Sequence, residues 1–231
     1  MKKISLLVAS FALTIGGFAQ TSSNCTTCEI APNLVKSNQN YDKALWDIQL
    51  DVDPVAAFNP ATGLAGAAWT GTEFWVTKWA NNALYTANAS GTMTSTFTIP
   101  GVTGARSITT DGTDMYIGTA STQIYRVSKT TKTVLATINT SVPNCRYVTY
   151  DPTLNSNAGG FWVGQYGTAI TAVSMTGATL STIPAGTHGL TGIYGLAYDP
   201  YSTGGPFLWA FDQGGNGADI VQLTMSGTPT G

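Results

Sequence analysis

The hydrophobic and polar positions of this chain fall into a repeat. Four times, a short first strand runs into a tight turn, a second strand led by an aromatic residue, another turn, a third strand, and a Gly/Thr turn toward a fourth. Aligned on the second strand, the repeats read Phe74-Trp75-Val76, Met115-Tyr116-Ile117, Phe161-Trp162-Val163 and Leu208-Trp209-Ala210. The central aromatics are spaced 41, 46 and 47 residues apart. Third strands are predicted to begin at Leu84, Ile124, Ile170 and Ile220, and a turn residue follows each at an offset of seven: Gly91, Thr131, Gly177 and Gly227. A period of about 40–50 residues holding four strands predicts an all-β fold, a β-propeller of four-stranded antiparallel blades.

The first strands repeat as well. Residues 107–112 read Ser-Ile-Thr-Thr-Asp-Gly, residues 147–152 Tyr-Val-Thr-Tyr-Asp-Pro and residues 195–200 Gly-Leu-Ala-Tyr-Asp-Pro. Each ends in Asp-Gly or Asp-Pro, where the carboxylate accepts local backbone bonds and Gly or Pro sets the turn. The extra length of the last two blades lies in these turns, at 153–160 and 201–206, so it lengthens surface loops and leaves the sheet period intact.

Ahead of the first blade, residues 46–52 alternate cleanly, with Trp46, Ile48, Leu50 and Val52 on one face. This strand is expected to be the outer strand of the final blade, closing the ring and hiding its open edges. Four blades are visible, and the sequence stops at residue 231 where the outer strand of the fourth should run. The expectation is a fragment of a five- or six-bladed ring, truncated at its C-terminus, with a closed four-bladed ring as the other account. The domain reading is a signal peptide over 1–19, a polar leader over 20–43 and the propeller over 44–231.

Only 10% of residues are charged, against roughly 25% in ordinary globular domains. A chain rich in Thr, Gly and aromatics with so little charge suits an extracellular all-β protein. The net charge of −2 leaves no basic stripe for a nucleic-acid backbone. The N-terminus has a basic start at Lys2 and Lys3, an apolar run over 4–18 and a cleavage context ending at Ala19. Its apolar run is shorter than the roughly 20 residues of a spanning helix. An exported chain with no transmembrane segment after cleavage is expected, secreted or at the cell surface.

Three cysteines leave at least one unpaired. Cys25 and Cys28 lack the second pair of a zinc site and the βαβ context of a redox motif. A structural disulfide, either local or to Cys145, is the reading the oxidising compartment allows.

In a propeller the first strand of each blade lines the central channel. Its start and the end of the second strand therefore share one face of the disc. Counting back five from each turn residue gives Ala65, Arg106, Arg146 and Tyr194, and counting past each aromatic gives Lys78-Trp79, Thr119-Ala120, Gln165-Tyr166 and Asp212-Gln213. The candidate ligand-binding rim is Arg106, Arg146, Tyr194, Lys78, Trp79, Gln165, Tyr166, Asp212 and Gln213. Arginine forks bind carboxylates bidentately and aromatic planes stack on rings, so the set suits sugars or carboxylate-bearing chains. The plainer role for Arg106 and Arg146 is to hold neighbouring blades together. Glu73 and Asp111 are expected on the opposite face.

Catalytic sets are sparse. The single histidine, His188, lies in a Gly-rich connection, and there is no Gly-x-Ser-x-Gly elbow. A glycosidase needs two juxtaposed carboxylates, whereas Asp212 stands alone among the rim candidates. The turn aspartates lack the dense alternating carboxylates of a calcium loop, so neither metal nor cofactor is expected.

Residues 46–49 (Trp-Asp-Ile-Gln), 97–104 (Phe-Thr-Ile-Pro-Gly-Val-Thr-Gly), 160–163 (Gly-Phe-Trp-Val) and 205–213 (Gly-Pro-Phe-Leu-Trp-Ala-Phe-Asp-Gln) resemble propeller modules of large secreted bacterial proteins. Those are the sorting-domain-containing proteins exported by the type IX secretion route. The resemblance runs over 45–231 and implies a further blade after Gly231, adhesion-type modules, a C-terminal sorting domain and attachment at the surface. It names no activity. The expected function is a non-catalytic binding or scaffold module for a glycan, peptide or protein. The competing class is an extracellular polysaccharide-acting hydrolase or lyase with catalytic groups partly on a further blade. A second carboxylate or a histidine within reach of Asp212 would separate the two.

Overall fold

The computed structural model of the chain describes residues 63–79, 81–215 and 218–230. The signal segment, the leader with Cys25 and Cys28, and the closure strand expected at 46–52 lie outside the described residues. Blade 1 is β1 (Leu64–Trp69), β2 (Phe74–Lys78), β3 (Ala83–Ala87) and β4 (Met93–Thr98), and blade 2 is β5 (Ala105–Thr110), β6 (Asp114–Thr119), β7 (Gln123–Ser128) and β8 (Val134–Asn139). Blade 3 is β9 (Tyr147–Asp151), β10 (Gly160–Gly164), β11 (Ile170–Ser174) and β12 (Thr179–Ile183), and blade 4 is β13 (Ile193–Asp199), β14 (Phe207–Asp212) and β15 (Asp219–Thr224). Every sheet is an antiparallel meander in sequence order. The first strands pack in succession, β1 on β5, β5 on β9 and β9 on β13. The described residues form a β-propeller of four blades.

Next to β15, Leu223 bridges Pro229 and the Thr230 amide donates to the Gln222 carbonyl at 3.0 Å. Residues 228–230 thus stand at the fourth-strand position of blade 4, in the register that Ala87 and Met93 hold in blade 1 and Val173 and Thr179 hold in blade 3.

Burial explains why the second strands read as unbroken apolar runs. All positions of β6 and β10 are buried, because blades 2 and 3 are covered on both faces by their neighbours. Between blades 1 and 2 lie Trp75, Leu84, Ile108, Met115, Ile117 and Val127. Tyr116, Ile124, Val148, Phe161, Val163 and Val173 fill the next gap, and Trp162, Ile170, Ile193, Leu208 and Leu223 the one after. The fourth strands β4, β8 and β12 alternate little and are mostly exposed. Each meets its third strand through a bulge, at Thr86/Ala87, Arg126/Val127 and Ala172/Val173. Bulges twist an edge out of the flat geometry that would template pairing with another chain.

Two features that recur from blade to blade in the sequence, the turn carboxylate and the second-strand aromatic, form one device. Tyr116 Oη donates to Asp111 at 2.8 Å, Trp162 Nε1 to Asp151 at 2.9 Å, and Trp209 Nε1 to Asp199 at 3.0 Å. In blade 1 the donor is Trp75 Nε1 and the acceptor Glu73, at 2.9 Å. The second carboxylate oxygen holds the turn. Asp111 accepts from the Thr113 and Asp114 amides, Asp151 from the Thr153 amide and hydroxyl, and Asp199 from the Tyr201 and Ser202 amides. In blade 1 two residues share these roles, Thr70 Oγ1 accepting from the Glu73 amide while the Glu73 carboxylate serves the indole. Threonines two residues ahead of the aspartates stitch blades together, with the Tyr150 amide donating to Thr109 Oγ1 and the Tyr198 amide to Thr149 Oγ1.

Blade 2 departs from the predicted turn by one residue. The left-handed position is Lys132, with φ 54°, where the other blades place Gly91, Gly177 and Gly227; it is not Thr131. A side chain there costs about 1–2 kcal/mol. Lys132 compensates by setting its ammonium 4.0 Å from the Phe97 ring centroid and 5.9 Å from that of Trp75, a cation–π contact of about 0.5–2 kcal/mol that ties blade 2 to blade 1.

The clasp between carboxylate and aromatic can be tested by coupling and by pH. Asp151, 1% exposed, makes charge-assisted bonds worth about 1.5–3 kcal/mol each. Urea unfolding of Asp151→Ala, Trp162→Phe and the double variant is expected to give a coupling energy of about 1–3 kcal/mol; additive losses would deny the clasp its role. In blade 4, partial burial raises the Asp199 carboxyl, but bonds from Ser202, Trp209 and Tyr201 outweigh it and hold the group below its usual 3.8. As pH falls, the unfolded carboxyl near 3.9 protonates first, so this stabilisation is present above about pH 4 and is lost as pH drops through the folded value. Asp199→Asn should flatten the fall in stability below about pH 4, measured by chemical denaturation; an unchanged slope would count against it.

Candidate functional site

The propeller separates its two ends. The clasped turns lie at the far end of each first strand, and the start of that strand lies about 20 Å away, at roughly 3.3 Å per residue. Glu73 and Asp111 therefore sit opposite the rim that holds Arg106.

The backbone aims the rim residues by a repeated irregularity. The pairing of first and second strands slips between Leu64 and Ala67, between Ala105 and Ser107, and between Ile193 and Gly195. Arg106 and Tyr194 are the extra residues of the latter two bulges, and Ala65 lies within the first. A bulge leaves one residue unpaired and re-aims its side chain. In blade 3, Arg146 directly precedes β9 and takes the equivalent place.

Five of the nine sequence-predicted residues meet in one run across all four blades. The Arg106 guanidinium lies 5.8 Å from the Trp79 ring centroid. Arg146 stacks 4.4 Å from the Tyr166 ring centroid, and Tyr166 meets Tyr194 edge-on at 5.2 Å. Burial and then the like charge of Arg146 lower the Arg106 pKa, so the two guanidiniums are electrostatic neighbours. Partial burial and the hydrogen-bonded Tyr166 phenol push the Tyr194 pKa up. Arg106 Nη1 donates to the Trp79 carbonyl at 3.3 Å and the Ala105 carbonyl at 3.1 Å. The first of these crosses from blade 2 to blade 1, so Arg106 is in part the blade fastener that its plainer reading describes. Neither Arg106 nor Arg146 has an ion pair among the described residues, where the one such pair is Arg126 with Asp114 at 2.7 Å. Trp79 at 56% and Tyr194 at 40% exposure present their rings to solvent.

The remaining four predicted residues have other surroundings. Lys78 is only 6% exposed, with its ammonium 3.4 Å from Tyr85 Oη. Strand alternation is the reason: Thr77 faces blade 2, its hydroxyl 3.5 Å from the Arg106 carbonyl, so Lys78 points to the other face of blade 1. Gln165 lines a cleft of about 290 Å³ between blades 2 and 3 with Ser141, Val142, Thr179 and Thr182. Asp212 Oδ1 accepts from the Gly192 amide at 2.6 Å and the Gly214 amide at 3.0 Å, anchoring the loop after β14. Gln213 donates its amide to the Gly192 carbonyl at 2.8 Å and is otherwise exposed.

Three further residues bear on the chemistry. Asp219 stands directly across from Asp212 in the β14–β15 ladder, a second carboxylate at the rim end of blade 4. The signal for it was available, since a residue that opens a third strand lies at the same end as one that closes a second. His188 is buried: Nδ1 accepts from the Leu190 amide at 3.1 Å, so Nε2 carries the hydrogen toward the Thr168 carbonyl, 3.1 Å away. It is a fastener between two loops with both nitrogens committed. Among the described residues Cys145 is a buried thiol, 3.4 Å from Thr140 Oγ1, and burial pushes its pKa up; its expected disulfide partners, Cys25 and Cys28, lie outside the described residues. Among the described residues no three His, Cys, Asp or Glu side chains are grouped to hold a metal ion. No helix there is long and apolar enough to cross a membrane.

No family model matches the chain, and no curated protein does. Solved structures do: 872 chains match, among them hydrazine synthase of Kuenenia stuttgartiensis. That chain is 14% identical, with a TM-score of 0.50 over 73% of this chain. This chain spans about half the length of that structure, 48%. Identity so low shows a fold in common and nothing of activity, because a fold this widely shared hosts unrelated functions.

Proposed function

We propose that the chain is a secreted or cell-surface binding and scaffold module that holds an anionic partner at its rim without cleaving it. The observation that carries this reading is the pair of neighbouring guanidiniums, Arg106 and Arg146, with no carboxylate partner among the described residues and flanked by Trp79, Tyr166 and Tyr194. A planar guanidinium offers a fork of donors matched to a carboxylate. Stacking on Tyr166 fixes the plane of Arg146 before any ligand arrives, which lowers the ordering cost of binding. Glycan, peptide and protein partners all carry suitable anions. The N-terminal segment at 1–19 supports export, and the resemblance of 45–231 to type IX cargo supports surface attachment through an adhesion-type parent.

One observation favours the hydrolase or lyase alternative. Asp219 opposite Asp212 is the second rim carboxylate that such an enzyme needs. Against it, Asp212 Oδ1 is occupied by two backbone amides, and the only histidine is buried with both nitrogens in use.

The test is an array of acidic and neutral glycans and acidic peptides, probed with the mature chain and with the Arg106→Ala/Arg146→Ala variant. Arginine-dependent binding to acidic members is expected, at least tenfold weaker in the variant and weakened by salt. Stability should change by no more than about 1 kcal/mol. Large destabilisation with unchanged binding would make the arginines blade fasteners alone, and release of shorter products by the wild type but not by Asp212→Asn would favour the enzyme.

A further inference from the structure

We infer that the rim selects an acidic glycan whose carboxylates are spaced by uncharged rings, in preference to a chain charged on every unit. This rests on the proposal that Arg106 and Arg146 bind an anion, and it adds which anion and why.

The order of side chains along the rim decides the preference. Trp79 in blade 1 meets Arg106 in blade 2, Arg146 meets Tyr166 in blade 3 and Tyr166 meets Tyr194 in blade 4, and the packing of β5 on β9 sets the two groups side by side. The cations lie together in the middle and an exposed aromatic lies at each end. Arg106 and Arg146 stand at the starts of β5 and β9, first strands that pack on each other, so their forks serve oxyanions side by side. They do not extend as a cationic track, since Lys78, the next candidate cation, is turned into blade 1. The negative face of an aromatic ring repels a carboxylate and accepts the C–H face of a sugar. A glycan with its acid between the arginines would therefore lay its neighbouring rings on Trp79 and Tyr194. If those neighbours were also acidic, two carboxylates would be forced against π faces and, on blade 4, toward Asp212 and Asp219.

A peptide is less well served. An extended peptide binds by adding to a sheet edge, with pockets for alternate side chains. The rim is formed from the ends of first and second strands; the second strands are paired on both edges, and the first strands, at the inner edge of each sheet, pack in succession on one another.

The probes are a hyaluronan decasaccharide (an acid on every second ring), an oligogalacturonate of equal length (an acid on every ring), carboxyl-reduced hyaluronan and an oligo-aspartate peptide. Binding to the mature chain is followed by calorimetry at fixed salt. The alternating glycan is expected to bind at least tenfold more tightly than the fully charged one, and the carboxyl-reduced form to lose binding. Trp79→Ala/Tyr194→Ala should erase the preference between the two acidic glycans while leaving arginine-dependent binding of the oligogalacturonate. Both rings are exposed, so this variant is expected to fold, which its thermal midpoint checks. Equal or tighter arginine-dependent binding of the oligogalacturonate or the peptide would overturn the spacing inference and leave the anion site standing. Binding of none of these probes, or binding indifferent to Arg106→Ala/Arg146→Ala, would overturn both.

Discussion

A carboxylate at the turn that bonds an aromatic side chain of the second strand is the constraint on which this propeller depends. The contact recurs in all four blades, as Glu73 with Trp75, Asp111 with Tyr116, Asp151 with Trp162 and Asp199 with Trp209. The apolar body of each ring fills or borders the gap between blades, and its polar atom would be left unsatisfied there without the acid. An unpaired buried donor costs about 1–3 kcal/mol, and an unpaired buried carboxylate costs more. Each group thus removes the penalty of the other. In blades 2 to 4 the same acid also holds the turn, and in blade 1 Thr70 does so beside Glu73, so packing between blades and hairpin geometry within a blade are set together.

Fixing one end of each hairpin determines what the other end can do. First and second strands leave the clasped turn in strict register: Thr110 opposite Met115, Asp199 opposite Phe207. All irregularity is pushed to the far end, where the bulges at Arg106 and Tyr194 appear. In a regular ladder these residues would alternate into a blade interface, and a guanidinium there would be costly to bury. The bulge lets the side chain escape to the channel mouth while its neighbours Ala105, Ser107 and Ile193 stay buried. Site and scaffold are two ends of one hairpin.

The blade period, the strand order and five rim residues were legible in the sequence because they follow from fixed offsets within a repeat. Lys78 was misplaced because counting from the aromatic fixes height along the strand and ignores which face alternation selects. Thr131 was named for Lys132 because a cation–π contact across blades permitted a longer turn, which no local pattern announces. Asp219 follows from the same logic as the rim, since it opens the third strand of blade 4 opposite the end of the second. Cys145 offered a thiol but no geometry, and its burial among Val142, Val148 and Phe161 is a tertiary outcome. The fastening role of His188 has no sequence signature, because its partners, the Leu190 amide and the Thr168 carbonyl, are backbone groups.

The scarcity of charge gives the rim its character. Where only 10% of residues are charged, each described acid with a structural role is one fewer to neutralise a cation. Glu73, Asp111, Asp151 and Asp199 are held at the clasped end, Asp114 by Arg126 and Asp212 by two amides. Arg106 and Arg146 are left as neighbours of like charge, partly desolvated and without a counter-charge among the described residues. Repulsion between two such groups is weak in water and grows as solvent is excluded. A ligand that covers the rim therefore raises the cost of leaving the pair uncompensated at the same moment that its own carboxylate removes it. A neutral ligand would raise that cost and offer nothing against it. The uncompensated charge of this pair consequently comes from the fold's own distribution of charge, before any individual contact is counted.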